Sequence, residues 1–309
     1  MQSIDRRFLL KASFAGAAVL SLPPLAGRAF AAAPSASAVA GNVTLISGAG
    51  ANVLALKSSD GTVLVDSGAA GQTEALMAVL SQVTQKRPVT TLFNTHRHLE
   101  NTGGNAAFRK AGAEIIAHKK AHQWMANAFW NPEEYRYEPA RAADELPTRT
   151  FRTTGSMTAG GERIDYGYLL EAHTEGDIYV HFRDADVIAV GGVVSPVRDP
   201  GVDWFTGAWI GARLDMQEKI IAMAGPNTRI VPSFGPVLTR NDVQAEHDML
   251  LAIHTKMVEL LRKGMGAEDM LKEGVMENTG RTWADPLHFL YAGCKGLWGH
   301  NDALSPDIV

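Results

Sequence analysis

Thr95-His96-Arg97-His98-Leu99-Glu100-Asn101-Thr102-Gly103-Gly104-Asn105 follows directly on the apolar, β-branched run Val89-Thr90-Thr91-Leu92-Phe93. Such a run reads as a strand, and two histidines separated by one residue at its end project to the same side of an extended backbone. Both imidazoles can therefore reach one ion. A third, His173, stands at another junction between an apolar run and a turn, in Ala172-His173-Thr174-Glu175-Gly176-Asp177. Catalytic zinc commonly takes three protein ligands and keeps its fourth position for water.

Working outward, residues 43–46, 53–56 and 62–65 are short and apolar, separated by Gly48-Ala49-Gly50 and Asp60-Gly61, which predicts strands joined by hairpin turns. Residues 73–83 carry Leu76, Val79, Leu80 and Val83 at helical spacing, and Pro88 closes that stretch. Residues 106–110 read as helix and 114–117 as strand. Residues 118–151 are irregular and aromatic, a packed insertion or a pocket wall. Hairpin-like runs at 163–172 and 177–194, a helix at 214–224, a strand at 229–232 and a long terminal helix at 241–263, with Asn241 as its N-cap, complete the pattern.

The landmarks Val63-Leu64-Val65-Asp66-Ser67-Gly68, Thr95 to Asn105, Ala172 to Asp177, Val187-Ile188-Ala189-Val190-Gly191-Gly192 and Val231 to Arg240 resemble, in order and spacing, those of the metallo-β-lactamase superfamily. The resemblance covers most of residues 42–240. It implies an α/β fold, the four-layer αββα sandwich, and places His96, His98 and His173 at the ligand positions of the first metal ion. Asp66 matches the carboxylate that supports the metal-binding loop, and Asp177 is a candidate for a similar supporting role. Arg97 and Asn101 are possible lining residues.

The resemblance is incomplete at the second ion. The family pattern is H-x-H-x-D-H, and here Glu100 stands in place of the aspartate and Asn101 in place of the following histidine. Gly192 replaces the bridging aspartate and Phe234 the last histidine. A carboxamide is a poor zinc donor, and Gly and Phe offer no donor side chain. One zinc ion per chain is therefore the expected cofactor, with Glu100 either as general base or as a carboxylate that orients a ligand. Two functions fit: a mononuclear hydrolase of a small ester, thioester, lactam or related molecule, and a noncatalytic binding or regulatory protein on the same fold.

Elsewhere the chain narrows the possibilities. Its 309 residues are 46% hydrophobic, enough for a core, and a net charge of -4 supplies no global basic field, so no nucleic-acid partner is expected. The single cysteine, Cys294, excludes an intramolecular disulfide and a cysteine-based zinc cluster. Asp5-Arg6-Arg7-Phe8-Leu9 followed by an uncharged stretch resembles a twin-arginine export signal. Residues 1–33 are expected to be that leader, 34–41 a linker and 42–309 one domain, with the twin-arginine machinery as a partner and the periplasm as destination. No later run is apolar enough for a membrane span. His118 and His122 share an i,i+4 spacing without the glutamate of H-E-x-x-H; Trp204, Phe205 and Trp209 are either a pocket rim or core.

Overall fold

Strand alternation decides the layering. In the computed structural model, which describes residues 33–300, the first sheet is built from β1 (Ser35–Ala40), β2 (Val43–Ala49), β3 (Ala51–Ser58), β4 (Gly61–Val65), β5 (Val89–Phe93) and β6 (Glu114–His118). A small hairpin of β7 (Phe129–Asn131) and β8 (Arg136–Glu138) precedes β9 (Arg149–Phe151), which closes the sheet beside β6. The second sheet runs in order from β10 (Thr154–Ala159) through β11 (Glu162–Leu170), β12 (Gly176–Phe182) and β13 (Val187–Gly191) to β14 (Arg229–Pro232).

On β3, Leu54 and Leu56 point to a core shared with Ile164, Ile178, Val180 and Val187 of the other sheet. Val53 and Ala55, one residue out of phase, pack instead with Leu76, Leu80 and Phe108. Those three lie on the helices α1 (Thr73–Val83) and α3 (Asn105–Lys110), separated in sequence by the single-turn helix α2 (Leu99–Thr102). After α4 (Lys119–Ala126), the second sheet's outer face meets α5 (Ile210–Met223) and α6 (Arg240–Arg262) through Ile188, Val190, Ile220 and Val243. Both sheets thus bury both faces, giving helix, sheet, sheet, helix in section.

Three sequence expectations are corrected. Residues 35–40, expected as linker, form the edge strand β1, paired antiparallel with β2; its exposed side chains lack a hydrophobic signal. The cap of α6 is Thr239, not Asn241: its side chain accepts from the Asp242 amide and the Asp242 carboxylate accepts from the Thr239 amide, a reciprocal capping box. Nor is α6 terminal. α7 (Ala267–Lys272) and α8 (Pro286–Gly299) pack back on it through Met270, Phe289 and Leu297. The leader falls outside the described residues except for its last position, and no helix of the described residues is long and apolar enough to cross a membrane.

Candidate metal centre

β4, β5, β13 and β14 run parallel in two pairs, and their C-terminal ends open on one edge of the sandwich. Asp66 leaves β4, His96 and His98 follow β5, Gly192 follows β13 and Ser233 and Phe234 follow β14. The turn between β11 and β12 brings His173 to the same edge. Ends of parallel strands are where α/β folds place ligands, because side chains from several strands converge there.

The residues after the histidines build the floor of this edge. Asn94 and Asn105 exchange amide hydrogen bonds of 3.0 and 2.8 Å, and the Ser67 hydroxyl donates to Asn105 at 2.9 Å. Gly103 and Gly104 let two chain segments approach: a Cβ at either would lie 2.3 Å from the Ala70 nitrogen or 2.4 Å from the Ser67 carbonyl oxygen. Small residues in this motif are therefore a packing requirement.

Three ring nitrogens converge. His96 Nε2 lies 3.1 Å from His98 Nδ1, which lies 3.2 Å from His173 Nε2, and ligand atoms of all three rings fall within 4.8 Å of one another. The far nitrogen of each ring is engaged elsewhere. His173 Nδ1 donates to the Gly201 carbonyl at 2.9 Å, and His98 Nε2 to Asp203 Oδ2 at 2.8 Å. His96 Nδ1 is 3.0 Å from the Thr95 hydroxyl, which spends its own proton on Asp66 Oδ2 at 2.7 Å, so the ring supplies the hydrogen. Each proton is thus committed outward and three lone pairs face inward. Without a cation that arrangement is repulsive. A four-coordinate ion about 2.0–2.1 Å from imidazole nitrogens sets neighbouring nitrogens about 3.3 Å apart, close to the separations here. The three residues can hold a metal ion.

Burial favours the neutral rings a metal needs. It pushes His96 well below the usual imidazole range and His173 down to about 3, with the neighbouring histidines acting in the same direction. Asp66 sits at a left-handed φ of 63° and accepts the Thr95 amide (2.8 Å), the Thr95 hydroxyl and the Asn101 amide (2.7 Å); burial nevertheless raises its carboxyl to about 7. Asp177 receives the amides of His173 (2.6 Å) and Thr174 (2.8 Å), fixing the turn that presents His173. Burial lifts it to about 7 as well.

Asp203 was not evident from the sequence. It joins His98 to Arg97, whose guanidinium also stands over the rings of Phe129 and Phe205. Burial alone would raise its carboxyl, but His98 and Arg97 outweigh that and hold it far below the carboxylate range. Behind the loop, fully buried Arg213 donates to the Gly201 carbonyl at 2.9 Å, the same oxygen that holds His173, and is paired with Glu246 at 3.4 Å. No spacing motif links these residues to the histidines.

The remaining expected residues fall as follows. Glu100 opens α2, is 41% exposed, and has its carboxylate 3.9 Å from Arg198 Nη1; it lies outside the three-histidine cluster and lines a cavity of about 270 Å³ with His98, Arg141, Asp203 and Phe205. Asn101 is buried and donates to Asp66 and to Ser233 Oγ (2.9 Å). Gly192 faces His173: a Cβ there would lie 2.1 Å from Cδ2 of the ring and 2.5 Å from Nε2. The Phe234 ring carries the Arg198 guanidinium at 3.3 Å. Of the three aromatic residues after Gly192, Phe205 lines the cavity, whereas Trp209 packs with the helical core. His118 lies stacked on Tyr168 at 3.8 Å rather than on the helix with His122, and Cys294 is a buried lone thiol whose burial raises it to about 11.

An αββα sandwich with a three-histidine cluster at the strand ends defines the class of metal-binding hydrolase folds. A sequence profile described as "Metallo-beta-lactamase superfamily" matches residues 46–234, and the chain belongs to that superfamily. It is 26% identical over 188 residues to a protein named "Metallo-beta-lactamase type 2" from Bacillus sp. (strain 170), covering 60% of this chain and 67% of the relative. A protein of the same name from Bacillus cereus is 25% identical over 200 residues, with 64% and 72% covered. Among solved structures, a metallo-beta-lactamase from Pontibacter korlensis superposes with a TM-score of 0.58 at 18% identity over 71% of this chain and 99% of that one. The sec-alkylsulfatase Pisa1 from Pseudomonas sp. superposes with a TM-score of 0.62 at 13% identity over 88% of this chain; the match spans 52% of the sulfatase.

Proposed function

We propose that this protein is a hydrolase working with one zinc ion per chain, held by His96 Nε2, His98 Nδ1 and His173 Nε2, on a small ester, thioester, lactam or related substrate. The observation that carries the reading is the inward convergence of three lone pairs whose rings are pinned from outside by Thr95, Asp203 and Gly201. Zinc bound there supplies Lewis-acid polarisation of a substrate oxygen and a water acidic enough to attack near neutral pH.

The chain's own residues do the rest. Asp66, through Thr95, keeps the His96 tautomer, and Asp203 keeps that of His98, so neither ring can turn its proton toward the substrate. Glu100, beside His98 on the cavity wall, is the proposed proton acceptor from the attacking water. Phe205 shields one wall, and the Arg97–Asp203 pair stiffens another. Export behind a twin-arginine leader over residues 1–33 belongs to the same proposal, with folding and metal loading before translocation.

The test is metal analysis of the purified protein beside His96→Ala, followed by a hydrolase substrate screen with Glu100→Gln. One zinc per chain, lost in His96→Ala, together with turnover lost in Glu100→Gln, is expected. Metal-free protein under zinc-replete conditions sinks the reading. Bound zinc with no turnover on any ester, thioester or lactam favours a noncatalytic binding protein instead.

A further inference from the structure

We infer that Arg213 and Glu246, a buried ion pair between α5 and α6, are positioning residues for the metal centre: gripping the loop of residues 193–203 from behind, they set the His173 ring. Their part in metal binding rests on the zinc reading above, whereas the set of the ring is a property of the chain alone.

A charged pair inside a protein is costly to desolvate, and apolar residues of similar volume commonly serve the fold as well or better. Arg213 is fully buried and Glu246 nearly so, with Nη2 and Oε1 3.4 Å apart. Nor is the surrounding network optimised for stability. Among the described residues, Arg213 Nε and Gln217 Oε1 are buried without a hydrogen-bond partner, which costs folding free energy.

What the pair contacts is one loop, at both ends. Arg213 and Gln217 stand four residues apart on one face of α5. At the start of the loop, Gln217 donates to the Val193 carbonyl and to Glu246, each at 3.0 Å, and Glu246 accepts the Ser195 amide at 2.9 Å. Arg213 Nη2 donates to the Ser195 hydroxyl, and Nη1 to the Gly201 carbonyl at the far end, each at 2.9 Å. An apolar pair could fill the same space but would make none of the bonds that Arg213 and Glu246 make to the loop.

The far end is where the loop meets a ligand. The Gly201 carbonyl accepts from Arg213 Nη1 and from His173 Nδ1, both at 2.9 Å. The guanidinium thus fixes the oxygen, and the oxygen fixes which ring nitrogen carries the proton. The loop also lies against the ring: a Cβ at Gly201 would stand 3.0 Å from His173 Cε1. Two residues on, the Asp203 amide donates to the His173 carbonyl at 3.0 Å, while the Asp203 carboxylate holds His98 at 2.8 Å. Displacement of this loop would therefore act on both histidines.

The experiment compares wild type with Arg213→Met/Glu246→Leu, which makes the pair apolar, and with Arg213→Lys, which keeps the charge but not the planar fork. Denaturant unfolding and heteronuclear NMR of the His173 ring are measured on the metal-free proteins, and zinc affinity by chelator competition. The double variant is expected to unfold near the denaturant concentration of wild type. It should nevertheless exchange the His173 Nδ1 proton with solvent about tenfold faster or more, and bind zinc about tenfold more weakly. Arg213→Lys should fall between wild type and the double variant in both. Wild-type proton exchange or zinc affinity in the double variant, or in Arg213→Lys should the double not fold, overturns the proposal. So does a loss of affinity that only tracks lost stability, or failure of both variants to fold, since the pair would then serve the fold. A wild type that binds no zinc would sink the zinc reading alone, because the ring proton still reports the set of His173.

Discussion

The two halves of the strand-end site differ in what their residues face. Around His96, His98 and His173 every ring is turned inward by a partner behind it: Thr95 with Asp66, Asp203 with Arg97, Gly201 with Arg213. At the positions that the resemblance assigns to a second ion, side chains face away or take up the space. Asn101 braces Asp66, Gly192 makes room for His173, and Phe234 supports Arg198. Asn101 and Gly192 thus serve the three-histidine half, by a hydrogen bond to Asp66 and by clearance for His173, whereas Phe234 serves Arg198.

Gly192 gives the sharpest way to break this comparison. A methyl group at residue 192 would overlap the His173 ring at 2.1 Å, so even Gly192→Ala must displace a ligand. Its expected effect is a loss of metal affinity of about 100-fold or more, with a stability cost of about 1–3 kcal/mol from overpacking. Chelator competition measures the first and denaturant unfolding the second. Wild-type affinity in Gly192→Ala would mean that His173 has slack, and that the glycine is a bare loss rather than an accommodation.

How much of this could be read beforehand depends on how local the cause is. Residues 73–83 and 89–93 fold as their periodicity says, because side-chain direction within one element follows from spacing alone. β1 escaped notice because an exposed edge strand of Ala and Ser has no apolar alternation, and its pairing is decided by β2. The histidines were legible because two of them share a strand end. Asp203 was not: it lies 105 residues from His98, and only the packing of the loop before Trp204 brings them together. The resemblance singles out Gly192 as standing where a carboxylate is expected, but its contact with His173 was not legible, since clearance is a property of the folded neighbours.

Asp203 supplies the next test, of smaller expected effect. Asp203→Asn retains an acceptor for His98 and removes the charge, and should lower metal affinity by about tenfold; Asp203→Ala, which releases the ring, should approach about 100-fold. The alanine variant also strands the buried Arg97 guanidinium, costing about 3–5 kcal/mol of folding stability. If both variants bound metal as tightly as wild type, the inward orientation of His98 would owe nothing to its carboxylate partner.

Acidity gives the smallest and most specific effect. Three ordinary imidazoles would each lose a proton to a metal at a pH below about 6.5, so the logarithm of affinity would rise by up to about three per pH unit. Burial holds His96 well below that range and His173 down to about 3, so these two rings surrender fewer protons to a metal than ordinary imidazoles do. The expected slope is well below three. The cost of this readiness falls on the metal-free fold. Below about 6.5 the unfolded chain takes up protons that these two folded rings refuse, so their contribution is fully present above that pH and is lost as pH falls through their lowered values, about 3 for His173. Asp66 and Asp177, raised to about 7, act in the opposite sense, losing stability as pH rises from about 4 to 7, so stability alone would blur the two effects. Metal affinity separates them, because only the histidines are ligands. A slope near three would show that the rings are protonated in the empty site, and that the inward lone pairs are made by the metal rather than awaiting it.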